Sequence, residues 1–154
     1  MRSYLLSVTQ ADEPAAVEIS HNRIYLRVRP GTNRERKEAI LERWYREQVK
    51  SAAPLLIKKW ERLMAVKVQR FFVQHMKTKW GSCNHRSATI RLNTELAKKP
   101  KVCLEYILVH EMAHLIEPTH NARFIAVLEC FLPKWQSYRD ELNRLPVRHE
   151  SWLY

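Results

Sequence analysis

The chain has 154 residues, 45% of them hydrophobic and only two of them glycine, which fits one strongly helical domain with a real core. No apolar run approaches the roughly 20 residues of a membrane span, no signal-peptide pattern opens the chain, and three cysteines form no C-x-x-C pair, so a reducing, cytoplasmic setting is expected. The net charge of +11 raises nucleic acid as a partner. Because the basic residues run along the whole chain and many alternate with glutamates on a predicted helix, solvated helix faces account for most of them, and nucleic acid is not the favoured partner.

Residues 1–14 show little pattern and read as a frayed lead-in. Val17 to Val28 alternates apolar and polar residues around His21-Asn22, the pattern of a hairpin. After Pro30-Gly31, Thr32 or Asn33 can cap a helix whose stripe is Ile40, Leu41, Trp44, Tyr45, Gln48, Val49 and Ala52. Pro54 is expected to interrupt it, with Leu55, Leu56, Trp60 and Leu63 on a second helical piece. Val66–Val73 and Ala88–Asn93 have strand composition, and the residues between them form the connection. Helices are expected over 121–132 and 135–142, each bounded by Pro133, and 145–154 is an apolar-containing tail.

Between them lies His110-Glu111-Met112-Ala113-His114-Leu115-Ile116-Glu117-Pro118-Thr119-His120. On a helix His110 and His114 stand one turn apart on one face, and two imidazoles there can grip one metal ion. Glu111 lies about 100° round the helix, from where its side chain can reach a water on the ion's open side. The preceding Cys103, Leu104, Ile107 and Leu108 make the helix apolar almost all round, and buried polar groups in such a helix need a reason such as metal ligation. Pro118 disfavours helix at Glu117, so the chain can turn and return His120 as a third ligand, a place Glu117 could also fill. Three protein ligands and an open fourth position form the catalytic zinc arrangement.

Lys77-Thr78-Lys79-Trp80-Gly81-Ser82-Cys83, Leu92-Asn93, Leu96, the His110–His120 motif and Arg123-Phe124 together resemble the YgjP-like zinc metallopeptidases, relatives of the SprT-like proteases in the zincin group. The resemblance runs from about Val17 to the C-terminus. It implies an α+β, zincin-like single domain over 1–154, with a short, mostly antiparallel sheet packed on helices. It also implies one catalytic Zn2+ on His110, His114 and His120, with Glu111 as general base and acid in the hydrolysis of peptide or protein substrates. Trp80–Cys83 is expected near the site, with Trp80 as a core anchor and Gly81 permitting a turn. Tyr106, Arg123 and His85 are candidate oxyanion donors by residue type, and Arg123 could equally partner a carboxylate near the motif. Two other functions compete: a zinc amidohydrolase of non-peptide substrates, and a SprT-like protease acting on nucleic-acid-bound proteins.

Overall fold

In the computed structural model, residues 5–20 and 23–144 are described. The chain runs β1 (Leu5–Gln10), β2 (Ala16–Ser20), β3 (Arg23–Val28), α1 (Arg34–Met64), β4 (Arg70–Gln74), β5 (Gly81–Asn84), β6 (Thr89–Asn93), a 3-10 turn (Thr94–Lys98), α2 (Lys101–Ala113), α3 (Ala122–Phe131) and α4 (Trp135–Asn143). The expected α+β class holds. Its strands form two three-stranded sheets, ordered β1-β3-β2 and β4-β6-β5. In each sheet the first strand pairs parallel with the third, and the second pairs antiparallel with it. Pairing is therefore evenly mixed, where a mostly antiparallel sheet was expected. The two parallel pairs join segments far apart in the chain, and no local turn announces them.

That pairing also explains the lead-in. Leu5–Gln10 is a strand because β3 supplies its hydrogen bonds, from Leu5 opposite Arg23 to Gln10 opposite Val28. The expected β2–β3 hairpin forms, with Val17 opposite Leu26, although its turn at His21-Asn22 lies outside the described residues, as does the 145–154 tail.

Helix α1 does not stop at Pro54. Asn33 caps its start, the Oδ1 accepting from the Arg36 amide at 2.8 Å, and Ala65 ends it in the left-handed region at φ 54°. Val49, Ala53, Ile57, Trp60 and Met64 follow one another at helical spacing and are all buried. Each such aliphatic side chain contributes roughly 1.5–3 kcal/mol over leaving it in water. Pro54 and Lys50 are exposed, so the Lys50 carbonyl freed by the missing proline N–H faces solvent. Packing on both sides of the proline outweighs the one lost hydrogen bond.

Helix α2 is the centre of the molecule. It is touched by α1, α3, α4, β5 and β6, and Cys103, Leu104 and every residue from Tyr106 to Ala113 are buried. Glu105 at its edge accepts from Trp60 Nε1 and Lys59 Nζ of α1, both at 3.0 Å. The connection between the two expected strands holds an element of its own, β5. Residues 81–84 are too short and too mixed in composition to declare a strand, and they become one by pairing with β6 from Gly81 opposite Leu92 to Asn84 opposite Thr89. Among the described residues no helix is long and apolar enough to cross a membrane.

Candidate metal centre

The helical premise of the motif holds. His110 and Glu111 lie in the last turns of α2, and His114 is its C-cap residue. The helix then tightens: the His114 amide donates to Glu111 O, Leu115 to Met112 O and Ile116 to Ala113 O. Bonds to the third residue back narrow the turn, and Pro118 prevents continuation. The returning loop is braced by Glu117, whose carboxylate accepts from Thr119 Oγ1 at 3.1 Å and from Asn121 Nδ2 at 3.2 Å, with Arg123 Nε 3.9 Å away. The Thr119 hydroxyl first, then Asn121 and Arg123, hold the Glu117 carboxyl below its ordinary pKa. Asn121 then caps α3, its Oδ1 accepting from the Phe124 amide at 3.0 Å.

In this loop the two candidate third donors part. Glu117 is spent on the loop, and His120 is brought to the other two histidines. The ligand atoms of His110, His114 and His120 all lie within 4.8 Å of one another, with His114 Nε2 and His120 Nε2 at 2.8 Å. A tetrahedral zinc with Zn–N bonds near 2.0–2.1 Å separates its nitrogen ligands by about 3.3 Å, a spacing these distances bracket. Small ring rotations suffice. Burial lowers the pKa of both His114 and His120, which favours the neutral imidazole a metal requires.

Neighbouring groups orient the rings. His114 Nδ1 lies 3.3 Å from the Glu117 carbonyl, an acceptor only, so Nδ1 carries the proton and Nε2 keeps its lone pair. His110 Nδ1 lies 3.2 Å from Glu111 Oε2, where it can donate to the carboxylate, the tautomer in which Nε2 carries no proton. Phe124 floors the cluster: its ring stacks on His114 at 4.5 Å between centroids and meets His110 and His120 edge-on at 5.1 and 4.9 Å. Its inward direction follows from the α3 periodicity, but its contact with all three imidazoles does not.

Glu111 is buried beneath β5. A Cβ on Gly81 would meet Glu111 Cγ at 3.2 Å, Ile107 Cγ2 at 2.9 Å and the Arg91 carbonyl at 3.0 Å. Gly81 is thus a close-approach residue inside a strand, a correction to its expected turn role. Cys83 shares its face two residues on. Burial and then the Glu111 charge push the Cys83 thiol up to about 12, which favours its neutral form. Trp80 is the core anchor expected, its Nε1 donating to Asn143 Oδ1 at 3.3 Å.

The loop into β5 hangs on Asn93, fully buried at the end of β6. Its Nδ2 donates to Met76 O at 2.9 Å and Lys79 O at 2.7 Å, while its Oδ1 accepts from the Met76 and Glu95 amides. Position in the sequence carried no sign of this hub, since most of its bonds go to the distant 76–79 stretch. Of the candidate oxyanion donors, Tyr106 is 1% exposed with its hydroxyl buried in the helix packing, and Arg123 is directed at Glu117. His85 is exposed on the turn after β5.

Comparison with known proteins agrees with this geometry. The structure is similar to that of the metallopeptidase zymogen of Pyrococcus abyssi abylysin, with 19% identity, a TM-score of 0.56, and coverage of 67% of this chain and 99% of that one. It is similar also to the zymogen of Methanocaldococcus jannaschii jannalysin, at 18% identity and a TM-score of 0.52, covering 62% and 94% of the two chains. At these identities the likeness speaks for the fold. A search of curated proteins finds no match. A family model described as YgjP-like, metallopeptidase domain, matches residues 2–145, nearly the whole chain. The chain belongs to the YgjP-like metallopeptidase family.

Proposed function

We propose that this protein is a zinc-dependent peptidase in which His110, His114 and His120 hold one ion and Glu111 moves the proton. The observation that carries the reading is the three converging imidazoles beside a buried glutamate pressed against the edge strand of a sheet. Zinc bound by three imidazoles supplies Lewis acidity, which brings the pKa of a bound water to roughly 7 and polarises a carbonyl. The protein supplies the rest. Glu111 accepts the proton of the attacking water on a carboxylate oxygen and later delivers it to the leaving amine. Its burial beneath Gly81 restricts the carboxylate to one region and keeps bulk water from competing for it.

Strand β5 positions the substrate. In the order β4-β6-β5 it has one neighbour, so among the described residues its outer edge is without a strand. Its backbone N–H and C=O groups can take an extended peptide as a fourth strand. Gly81 brings that edge to Glu111, so a peptide paired there runs past the proton carrier. The neutral Cys83 thiol argues against a cysteine nucleophile despite the histidines nearby.

Glu111→Gln tests the assignment, because it keeps the shape of the side chain and removes its basicity. It is expected to retain one zinc per chain by metal analysis and to lose hydrolysis by on the order of 10²–10⁴-fold. Full proteolysis by this variant would sink the reading.

A further inference from the structure

The charge of this chain is less evenly spread than its helices imply. Helix α1 mixes arginines and lysines with Glu35, Glu38, Glu42, Glu47 and Glu61. Residues 62–94 hold seven lysines and arginines and no acidic residue at all, against a net charge of +11 for the whole protein. That tract contains β4, β5 and β6, the sheet whose edge lies over Glu111.

Its cations gather round β5. Lys77 and Lys79 precede the strand, and His85 and Arg86 follow it. All four are exposed. Among the described residues Lys77, Lys79 and Arg86 form no ion pair with a carboxylate. Arg91 on the neighbouring strand is turned the other way, donating to Gln74 Oε1 of β4 at 3.1 Å. The backbone beneath them is held at both ends. Asn93 ties down the carbonyls of Met76 and Lys79, and Asn84 Oδ1 accepts from the amides of Arg86 at 3.1 Å and Ser87 at 3.3 Å. Fixed backbone carrying unpaired cations at each end of a substrate-binding edge is an electrostatic frame for whatever lies along that edge.

We infer that the preferred substrate is an acidic polypeptide segment, with aspartate or glutamate on both sides of the bond that is cut. This rests on the peptidase reading and on β5 as the substrate strand. The dimensions agree: the four residues of β5 span about 13 Å, so the flanking cations fall within reach of side chains a few residues from the scissile bond. A single-stranded nucleic acid fits less well. Such sites pair a long basic groove with open aromatic faces on which bases stack. Here the exposed aromatic on this sheet, Phe72, has the Arg91 guanidinium over its ring at 4.9 Å, and the cations surround one short strand.

The test is cleavage of a peptide library derived from a whole proteome by the zinc-loaded protein, with Glu111→Gln as the background. The cleaved set is expected to be enriched in acidic residues within a few positions of the cut on both sides, and the enrichment to fade as salt is raised. In the combined Lys77→Gln, Lys79→Gln, Arg86→Gln variant, kcat/KM for an acidic peptide relative to a neutral one should fall by about twofold to fivefold per cation removed, mainly through KM. Salt dependence of the wild type supplies the same readout without any substitution. Glu111-dependent cleavage with no acidic enrichment overturns the charge assignment alone. Absence of any Glu111-dependent cleavage overturns the peptidase reading beneath it. Direct binding gives a third outcome: if zinc-loaded Glu111→Gln binds a short single-stranded oligonucleotide more tightly than an acidic peptide at equal salt, the frame belongs to nucleic acid and the inference fails.

Discussion

The two sheets of this protein share one topology and have unequal fates. In each, a strand and a hairpin follow in sequence, and the first strand pairs parallel with the last. In the first sheet only the central strand is covered. Ile24, Leu26 and Val28 are buried, while Leu6 and Ile19 on the flanking strands, in register with Ile24, remain 50% and 47% exposed. In the second sheet Ile90 and Leu92 join the main core, and Gly81 on the flanking strand is pressed onto α2. Topology alone therefore makes no site. What distinguishes the second sheet is the buried helix beneath it, which brings a strand edge and a carboxylate together.

The largest test of that contrast lies in the helix. His114→Ala removes a donor at the end of α2, and the variant is expected to lose its metal by elemental analysis. Its melting temperature should then stop responding to added zinc, whereas zinc at about 1,000 times its Kd stabilises the wild type by about 4 kcal/mol. Zinc-dependent melting in the variant would move the site elsewhere. Asn93→Ala comes next, because it leaves the Met76 and Lys79 carbonyls and the Met76 and Glu95 amides without their buried partner. Denaturant unfolding should show a loss of about 1–3 kcal/mol. A neutral outcome would mean water replaces the amide and that the β5 loop does not depend on it.

Gly81→Ala separates geometry from stability. The added methyl meets Ile107, Glu111 and backbone, so β5 or Glu111 must shift. Overpacking of this kind costs about 1–3 kcal/mol, and kcat should fall further than the stability loss explains. Unchanged kcat with lowered stability would show that Glu111 does not depend on the strand above it. The smallest effect belongs to the first sheet: Ile19→Thr, at a half-exposed β-branched position, should alter unfolding free energy by no more than about 0.5 kcal/mol. A large loss there would show that this face is covered in solution.

Several of these features were legible in the amino acids. The i, i+4 spacing of His110 and His114 is a property of any helix, and the apolar run from Tyr106 to Val109 announces a buried one. The Asn33 cap and the β2–β3 hairpin are local too. Pro54 misled because a proline's cost is local while the packing that outweighs it, from Val49 to Met64, is distributed along the buried face on both sides of it. Strand β1 escaped because its parallel partner β3 lies beyond β2, and β5 because four residues of mixed composition carry no strand pattern until β6 pairs with them. Asn93 escaped because a buried asparagine looks like any other until the 76–79 loop is folded onto its amide.

By itself, the sequence put His110, Glu111 and His114 within two turns of one helix, since their spacing obeys its period. It favoured His120 as the third donor and left Glu117 as the alternative. Tertiary structure engages Glu117 with Thr119 and Asn121 and folds His120 back to within 2.8 Å of His114. It alone set β5 over Glu111, because strand pairing and close packing join residues that share no neighbourhood in the chain.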